Sequence, residues 1–355
     1  MIKKTIIMIS LLFILFGTAM MPLGAADAGT TGFEPVTMTN SIGTQVTFNE
    51  PAVKVASLGL TFSTTLLALG CSENIILIDN WSESGRSGIF ELESITNRPI
   101  GDGQEIAQML ANGYGGFDKD RDVIFMYGYS YHSTAIQSME TFGLKVVTFY
   151  PMTYEQGMDM TKDIGAVMGH NDKAAELVDL MQTTAAFHES ELNRHGITER
   201  ANAVYVSFSG GTIRVGNVNS YSVILMKIAG GVNPADDSSM IGSALTSYAV
   251  DSTFFIQMDI DVIFLDPFYS GTPDDFRAEM NINNNVKIYK LTPVMNQYGP
   301  TSIDGIQFMA KAMYPQVFGA LDDQSGSAPA NNMIYIAIAA LLVSAIAVGY
   351  VIFRK

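Results

Sequence analysis

The chain has 355 residues, 48% of them hydrophobic, enough to bury a large core and to build two compact lobes with accessory segments. Its 20 Lys and Arg against 35 Asp and Glu give a formal charge of −15, which argues against nucleic acid as a partner because phosphate backbones need a basic face. The single cysteine, Cys71, excludes an internal disulfide and reads as a packing residue within LALGCSENI.

The chain opens with Lys3 and Lys4, an apolar run over 5–16 and small residues through Ala26, the three-part pattern of a secretory signal peptide over 1–26. Short runs over 36–39 and 46–48, separated by Asn40, Ser41 and Gly43, predict a hairpin. Predicted strands over 54–57, 75–78, 123–126 and 146–149 then alternate with helices over 62–69, 134–142 and 154–168, giving a first α/β lobe over 33–170. A Gly-, Ser- and Asp-rich excursion over 80–120 interrupts it and carries a helical piece at 105–111.

Residues 171–195 predict one long bridging helix, its stripe of Ala174, Leu177, Val178, Met181, Ala185 and Leu192 recurring at three- and four-residue steps, with Asn171 or Asp172 as the cap. A second lobe over 196–319 repeats the grammar, with strands at 203–208, 262–265 and 287–291 and helices at 222–229, 273–280 and 303–314. The fold class is therefore α/β, two mostly parallel-sheet lobes joined by one long helix. A breaker-rich linker over 320–332 leads to an uncharged apolar stretch over 333–353, long enough for one transmembrane helix. Arg354 and Lys355 follow it, so the positive-inside rule leaves the lobes extracytoplasmic on a single-pass anchor in the cell membrane.

In open parallel sheets ligands lie beyond the carboxyl ends of the strands, so the residues that follow each strand are the candidates. Tyr127, Tyr129 and Tyr131 are spaced by two, and in extended chain their rings project to one side. Trp81, the only tryptophan, and Arg86 follow the 75–78 strand. In the second lobe the candidates are Ser209, Gly211 and Arg214, then Asp266, Phe268 and Tyr269, then Tyr298. The competing reading of each is structural: rings that cap a sheet, a solvated arginine. His132 reads as a surface hydrogen-bonder, and Asn80-Trp81-Ser82 is a glycosylation sequon.

Enzyme signatures are incomplete: SFSGG lacks the first glycine of a nucleophile elbow, GDGQEI the last glycine of a dinucleotide loop, and HESEL the second histidine of a zinc protease. No enzyme and no resident cofactor are expected. Four scattered histidines make a multi-His site for a bare metal ion hard to build, so a metal would arrive already chelated.

VASLGLTFSTTLLALGCSENIILID, DVIFMYG at 122–128, the stretch entering the long helix, ILMKIAGGVNPADD at 224–237, MDIDVIFLD and the terminal MAKAMYPQVF occur in that order. Together, over about 36–318, they resemble the class III, helical-backbone periplasmic binding proteins of ABC importers for iron-siderophore, haem and cobalamin. The resemblance implies a small-molecule metal chelate as ligand, ABC permease and ATPase subunits as partners, a largely preformed cleft, and Arg86 pairing with a chelate oxygen. With Arg214, it favours an anionic chelate. The chain departs from the family at Thr64 and near Thr253, where the family carries the glutamates that dock on the permease; Glu73 and Asp251 are the neighbouring acids. An anchored sensor or cell-surface binder of the same fold, without transport coupling, is the alternative.

Overall fold

The computed structural model describes residues 33–240, 243 and 245–321. The signal segment over 1–26, the linker beyond residue 321 and the apolar stretch over 333–353 lie outside these residues. Among those described, no helix is long and apolar enough to cross a membrane.

An antiparallel hairpin of β1 (Val36–Thr39) and β2 (Gln45–Phe48) precedes the first lobe. The lobe then runs β3 (Val55–Leu58), α1 (Leu60–Ala68), β4 (Ile75–Ile78), α2 (Ser84–Ser87), β5 (Thr96–Asn97), α3 (Gly103–Ala111), β6 (Val123–Tyr127), α4 (Ser133–Thr141), β7 (Val146–Phe149) and α5 (Tyr154–Met168). Its sheet has the order β5-β4-β3-β6-β7 with every pairing parallel. All four residues of β3 are buried because helices cover both faces of the sheet, which is why the strands read as short unbroken apolar runs. On one face Ala56, Leu58, Leu77, Ile124, Met126 and Val146 pack against Ile106 and Leu110 of α3 and Ile136 and Met139 of α4.

The bridging helix α6 (Asn171–Arg194) has 24 residues, about 36 Å at ~1.5 Å each. Its buried stripe is Ala174, Leu177, Val178, Met181, Thr184, His188 and Leu192. Thr184 and His188 occupy places on it that composition would assign to solvent, and the His188 ring satisfies itself against the Thr184 carbonyl at 2.8 Å. The cap differs from expectation. His170 holds the N-cap position without a side-chain bond, because α5 ends one residue earlier at Gly169 (φ 72) and the chain turns directly into α6. Val178, Met181 and Leu192 share one cluster with Tyr154 and Met158 of α5 and with second-lobe residues, so the helix is packed by both lobes.

The second lobe runs β8 (Ala203–Ser209), β9 (Thr212–Gly216), α7 (Tyr221–Ile228), β10 (Ser247–Ala249), α8 (Ser252–Gln257), β11 (Val262–Leu265), α9 (Pro273–Met280), β12 (Lys287–Lys290), α10 (Ser302–Met313) and α11 (Pro315–Phe318). Its sheet has the order β10-β9-β8-β11-β12. β8, β11 and β12 are parallel, while β9 and β10 add an antiparallel half that the expectation of a mostly parallel sheet did not include. The cause is the Gly210-Gly211 pair, at φ 57 and 76, whose left-handed backbone makes the two-residue turn of a hairpin and sends the chain back along β8. Among the described residues the chain from Pro35 onward forms one unit, so the seam between the lobes belongs to it.

Candidate ligand site at the seam between the lobes

β3, β4, β6 and β7 all point their carboxyl ends one way, and the residues just beyond them converge. Gly59 lets α1 begin hard against β6: a Cβ there would lie 2.8 Å from the Phe62 ring and 2.9 Å from the Tyr127 ring. Thr61, in the first turn of α1, is fully buried and works as a hub. Its hydroxyl oxygen accepts from the Tyr127 hydroxyl (2.8 Å) and from the Tyr298 N–H (3.3 Å), and donates to Gln297 Oε1 (2.9 Å). Tyr298 and Gln297 belong to the loop after β12, so this hub joins the two lobes. Gly299 (φ 95) tucks the same loop into the first lobe, where a Cβ would lie 2.9 Å from Thr65 Oγ1. Thr301 completes the contact at 3.5 Å from Thr64 Oγ1.

A run of tyrosines leads outward from this hub. Tyr221 and Tyr298 have ring centroids 4.2 Å apart and Tyr298 and Tyr127 6.5 Å apart, the second pair crossing the seam. Tyr127 to Tyr129 and Tyr129 to Tyr131 are each 5.1 Å, and Tyr150 stands edge-on to Tyr129 at 5.1 Å. Period-two projection requires an extended chain, and the chain does not stay extended. Only Tyr127 is in the strand; the chain bends at Gly128 and enters a 3-10 turn over Ser130–His132, and the rings stack along the bend. Burial pushes the Tyr127 and Tyr129 hydroxyls above their ordinary range and Tyr298 up to about 12, so all three stay neutral hydrogen-bonding groups at physiological pH. His132 directs Nδ1 to the Tyr127 carbonyl at 3.0 Å and fixes the bend.

Trp81 is presented by a buried polar chain. Asp79, 2% exposed, accepts from the Ser82 N–H (3.0 Å) and Ser82 hydroxyl (2.5 Å), Ser82 Oγ accepts from Ser63 (3.1 Å), and Ser63 Oγ lies 2.8 Å from Ser57 Oγ. Burial raises the Asp79 carboxyl, and the bonds from Ser82 and the backbone pull it back. The sequon serine is thus buried and engaged. The indole, 49% exposed, meets Phe268 of the second lobe edge-on at 5.1 Å, with Arg86 over its ring at 4.9 Å. Asp266 in turn holds Phe268, accepting its N–H at 2.8 Å while its other oxygen takes the Tyr205 hydroxyl at 2.6 Å.

Trp81, Arg86 and Phe268 therefore form one group across the seam, with Asp266 behind Phe268, and Tyr127, Tyr129, Tyr131 and Tyr298 form another. The four other candidates, all in the second lobe, do not join either group. Ser209 and Gly211 sit exposed on the β8–β9 turn, and the Arg214 guanidinium is spent on Ser247 Oγ (3.0 Å) and O (2.7 Å) across to β10. Tyr269 is 8% exposed, stacked on Phe208 at 4.3 Å and bonded to Glu279, a core ring. Sequence reasoning missed Thr61, Gln297 and Tyr150. Thr61 and Tyr150 follow β3 and β7, so the strand-end rule applied evenly would have found both; Gln297 has no such signal.

A concavity of about 710 Å³ lies at the opposite, amino ends of β8, β11 and β12, lined by Glu199, Arg200, Asp259, Asp261 and Lys287. It holds mixed charge and lacks the stacked rings of the seam. Among the described residues no group of three or more His, Cys, Asp or Glu is arranged to hold a metal ion.

No protein-family model matches the chain, and no curated protein matches it. Solved structures do. A periplasmic solute-binding protein from Veillonella parvula superposes with a TM-score of 0.60 at 16% identity, covering 81% of this chain and 89% of that one. The periplasmic haem-binding protein HutB of Vibrio cholerae gives 0.59 at 14% identity over 74% and 99% of the two chains. A protein of an ABC-type Fe3+-hydroxamate transport system from Saccharomonospora viridis gives 0.55 at 17% identity over 80% and 99%. At these identities the likeness establishes the fold, that of periplasmic solute-binding proteins.

Proposed function

We propose that the chain is an extracytoplasmic receptor that holds a bulky metal chelate between its two lobes and passes it to an ABC permease with its ATPase. The observation that carries this reading is the array of rings drawn from both lobes, Trp81 against Phe268 and Tyr127 against Tyr298, at the carboxyl ends of the strands. Neighbours of the same fold bind haem or serve Fe3+-hydroxamate transport and are binding proteins rather than enzymes, which supports a chelate ligand. The rings of the two lobes touch, so in place of a wide preformed cleft the ligand parts Trp81 from Phe268 or settles on the exposed faces of Tyr131 and Tyr150. A secretory leader over 1–26 and an anchor over 333–353 place the receptor on the outer face of the membrane.

The second reading, an anchored sensor or cell-surface binder without transport coupling, is favoured by Thr64. It is 3% exposed, bonded to the Thr61 carbonyl at 3.0 Å and covered by the second lobe, so nothing can dock on it. Thr253 is exposed, but Asp251 beside it is engaged as the cap of α8. Receptor-stimulated ATP hydrolysis by a reconstituted permease separates the two readings. For the ligand, calorimetric titration with ferric hydroxamates, ferric catecholates, haem and cobalamin should give stoichiometric binding of one, accompanied by a change in Trp81 fluorescence. Tyr129→Ala should weaken that binding by about 1–3 kcal/mol, the size of a central contact. If none binds while free Zn or Mn binds at submicromolar affinity, the chelate reading is wrong.

A further inference from the structure

Resting on that reading of the ring array, we propose that the site selects for positive charge on its ligand and rejects polyanionic chelates. Of the 20 basic residues, Lys3, Lys4, Arg354 and Lys355 lie outside the described residues, which leaves 16. Only four of these stand on segments at the carboxyl ends of the strands: Arg86, Arg98, Arg214 and Lys290. Arg98 is held by the Asn97 carbonyl (3.0 Å) and Glu105 (3.5 Å), Arg214 by Ser247, and Lys290 by the Tyr269 carbonyl (2.6 Å). Arg86 remains, stacked on Trp81. Its segment, over 79–105, also carries the exposed Glu83, Glu91, Glu93 and Asp102, while Asp79 is buried and Glu105 pairs with Arg98. A trianionic chelate would therefore find one guanidinium not held by a carbonyl or a carboxylate to meet it, on a segment of net negative charge.

The rings point the same way. Tyr131 and Tyr150 are 74% and 54% exposed. Tyr129 has Tyr127 and the nearly parallel Tyr131 each at 5.1 Å, so the aromatic faces left to a ligand are those of Tyr131 and of Tyr150, which stands at 86° to Tyr129. Those faces are electronegative and attract an ammonium or another cation, most strongly where water is displaced. At longer range the formal charge of −15 draws cations toward the protein and repels anions. A preference for positive charge runs opposite to the arginine-based expectation of an anionic chelate: of its two arginines, Arg214 is held by Ser247 and Arg86 shares its segment with four exposed acids.

The test varies charge at constant shape. Full-length protein in detergent is titrated calorimetrically with a ferric trihydroxamate bearing a terminal ammonium, with the same chelate N-acetylated to neutrality, with a ferric tris-catecholate trianion, and with haem. The ammonium form should bind about two- to tenfold more tightly than the acetylated form, the size of an exposed or partly desolvated cation–π contact. Tyr150→Leu should bring that ratio close to one while changing affinity for the acetylated form less. Equal affinity for the two hydroxamates, or tighter binding of the catecholate or of haem with its two propionates, overturns the charge preference and leaves the receptor reading standing. Binding of none of the four, nor of cobalamin, overturns both.

Discussion

Asp304 lies in the first turn of α10, and burial pushes its carboxyl from an ordinary 3.8 up to about 7. A raised carboxyl pKa means that the folded protein keeps a proton the unfolded chain has released. The associated stability is therefore full below about pH 3.9 and lost as pH rises through about 7. The side chain is only half-buried and sits at a helix N-terminus that favours negative charge, so the loss is smaller than complete burial would give. Asp304→Asn should raise the melting temperature at pH 8 and change it little at pH 4. A variant less stable at pH 8 would show the carboxylate to be stabilising there. His188 works in the opposite sense: burial lowers its pKa, so acidification below about 6.5 charges it preferentially in the unfolded chain and costs stability.

Between elements, α5 packs closely on the bridging helix. Gly165 is in the interior of α5, where alanine is intrinsically better by about 1 kcal/mol. A Cβ there, however, would lie 2.3 Å from the Ala174 Cβ of α6, well inside carbon–carbon contact at about 3.5–4.0 Å, and overpacking of this kind costs about 1–3 kcal/mol. Packing should win over propensity. Gly165→Ala is expected to lower the melting temperature by a few degrees, and a rise instead would mean that the helices are free to separate. The stripe of α6 was legible because apolar side chains at three- and four-residue steps admit few other readings; its cap was not, because α5 runs into it with no loop between.

At the scale of the molecule the seam rests on Thr61. Thr61→Val keeps the shape but leaves Gln297 Oε1, the Tyr298 N–H and the Tyr127 hydroxyl without this partner, at a cost of about 1–3 kcal/mol for each group that stays buried. Amide exchange should quicken in the loop 292–301 while β8 and β11 stay protected; unchanged exchange in that loop would mean that the rings hold the lobes together without the hub. A chain ending at Gly319, with the leader removed, should be soluble and folded, since the buried members of the core clusters lie before that point and the apolar stretch over 333–353 is then absent. Aggregation of that form would argue against an anchoring role for the deleted segment.

Local pattern alone determined the bridging helix, the end of the strands to inspect and the order of the parallel strands and longer helices, though not the short β5, α2, β10 and α8, because periodicity needs several residues to show. The Gly210-Gly211 hairpin was written there too, in a turn signal that the expectation of repeated strand–helix units overrode. Tertiary structure decided what a charge or a ring does once its neighbours arrive. Arg214 and Tyr269 carry the same side chains as cleft residues would, but a serine on β10 and the Phe208 ring claim them first. Thr61 and Gln297, 236 residues apart in the chain, become one hydrogen bond only when the loop after β12 folds onto α1, and no window of sequence contains both.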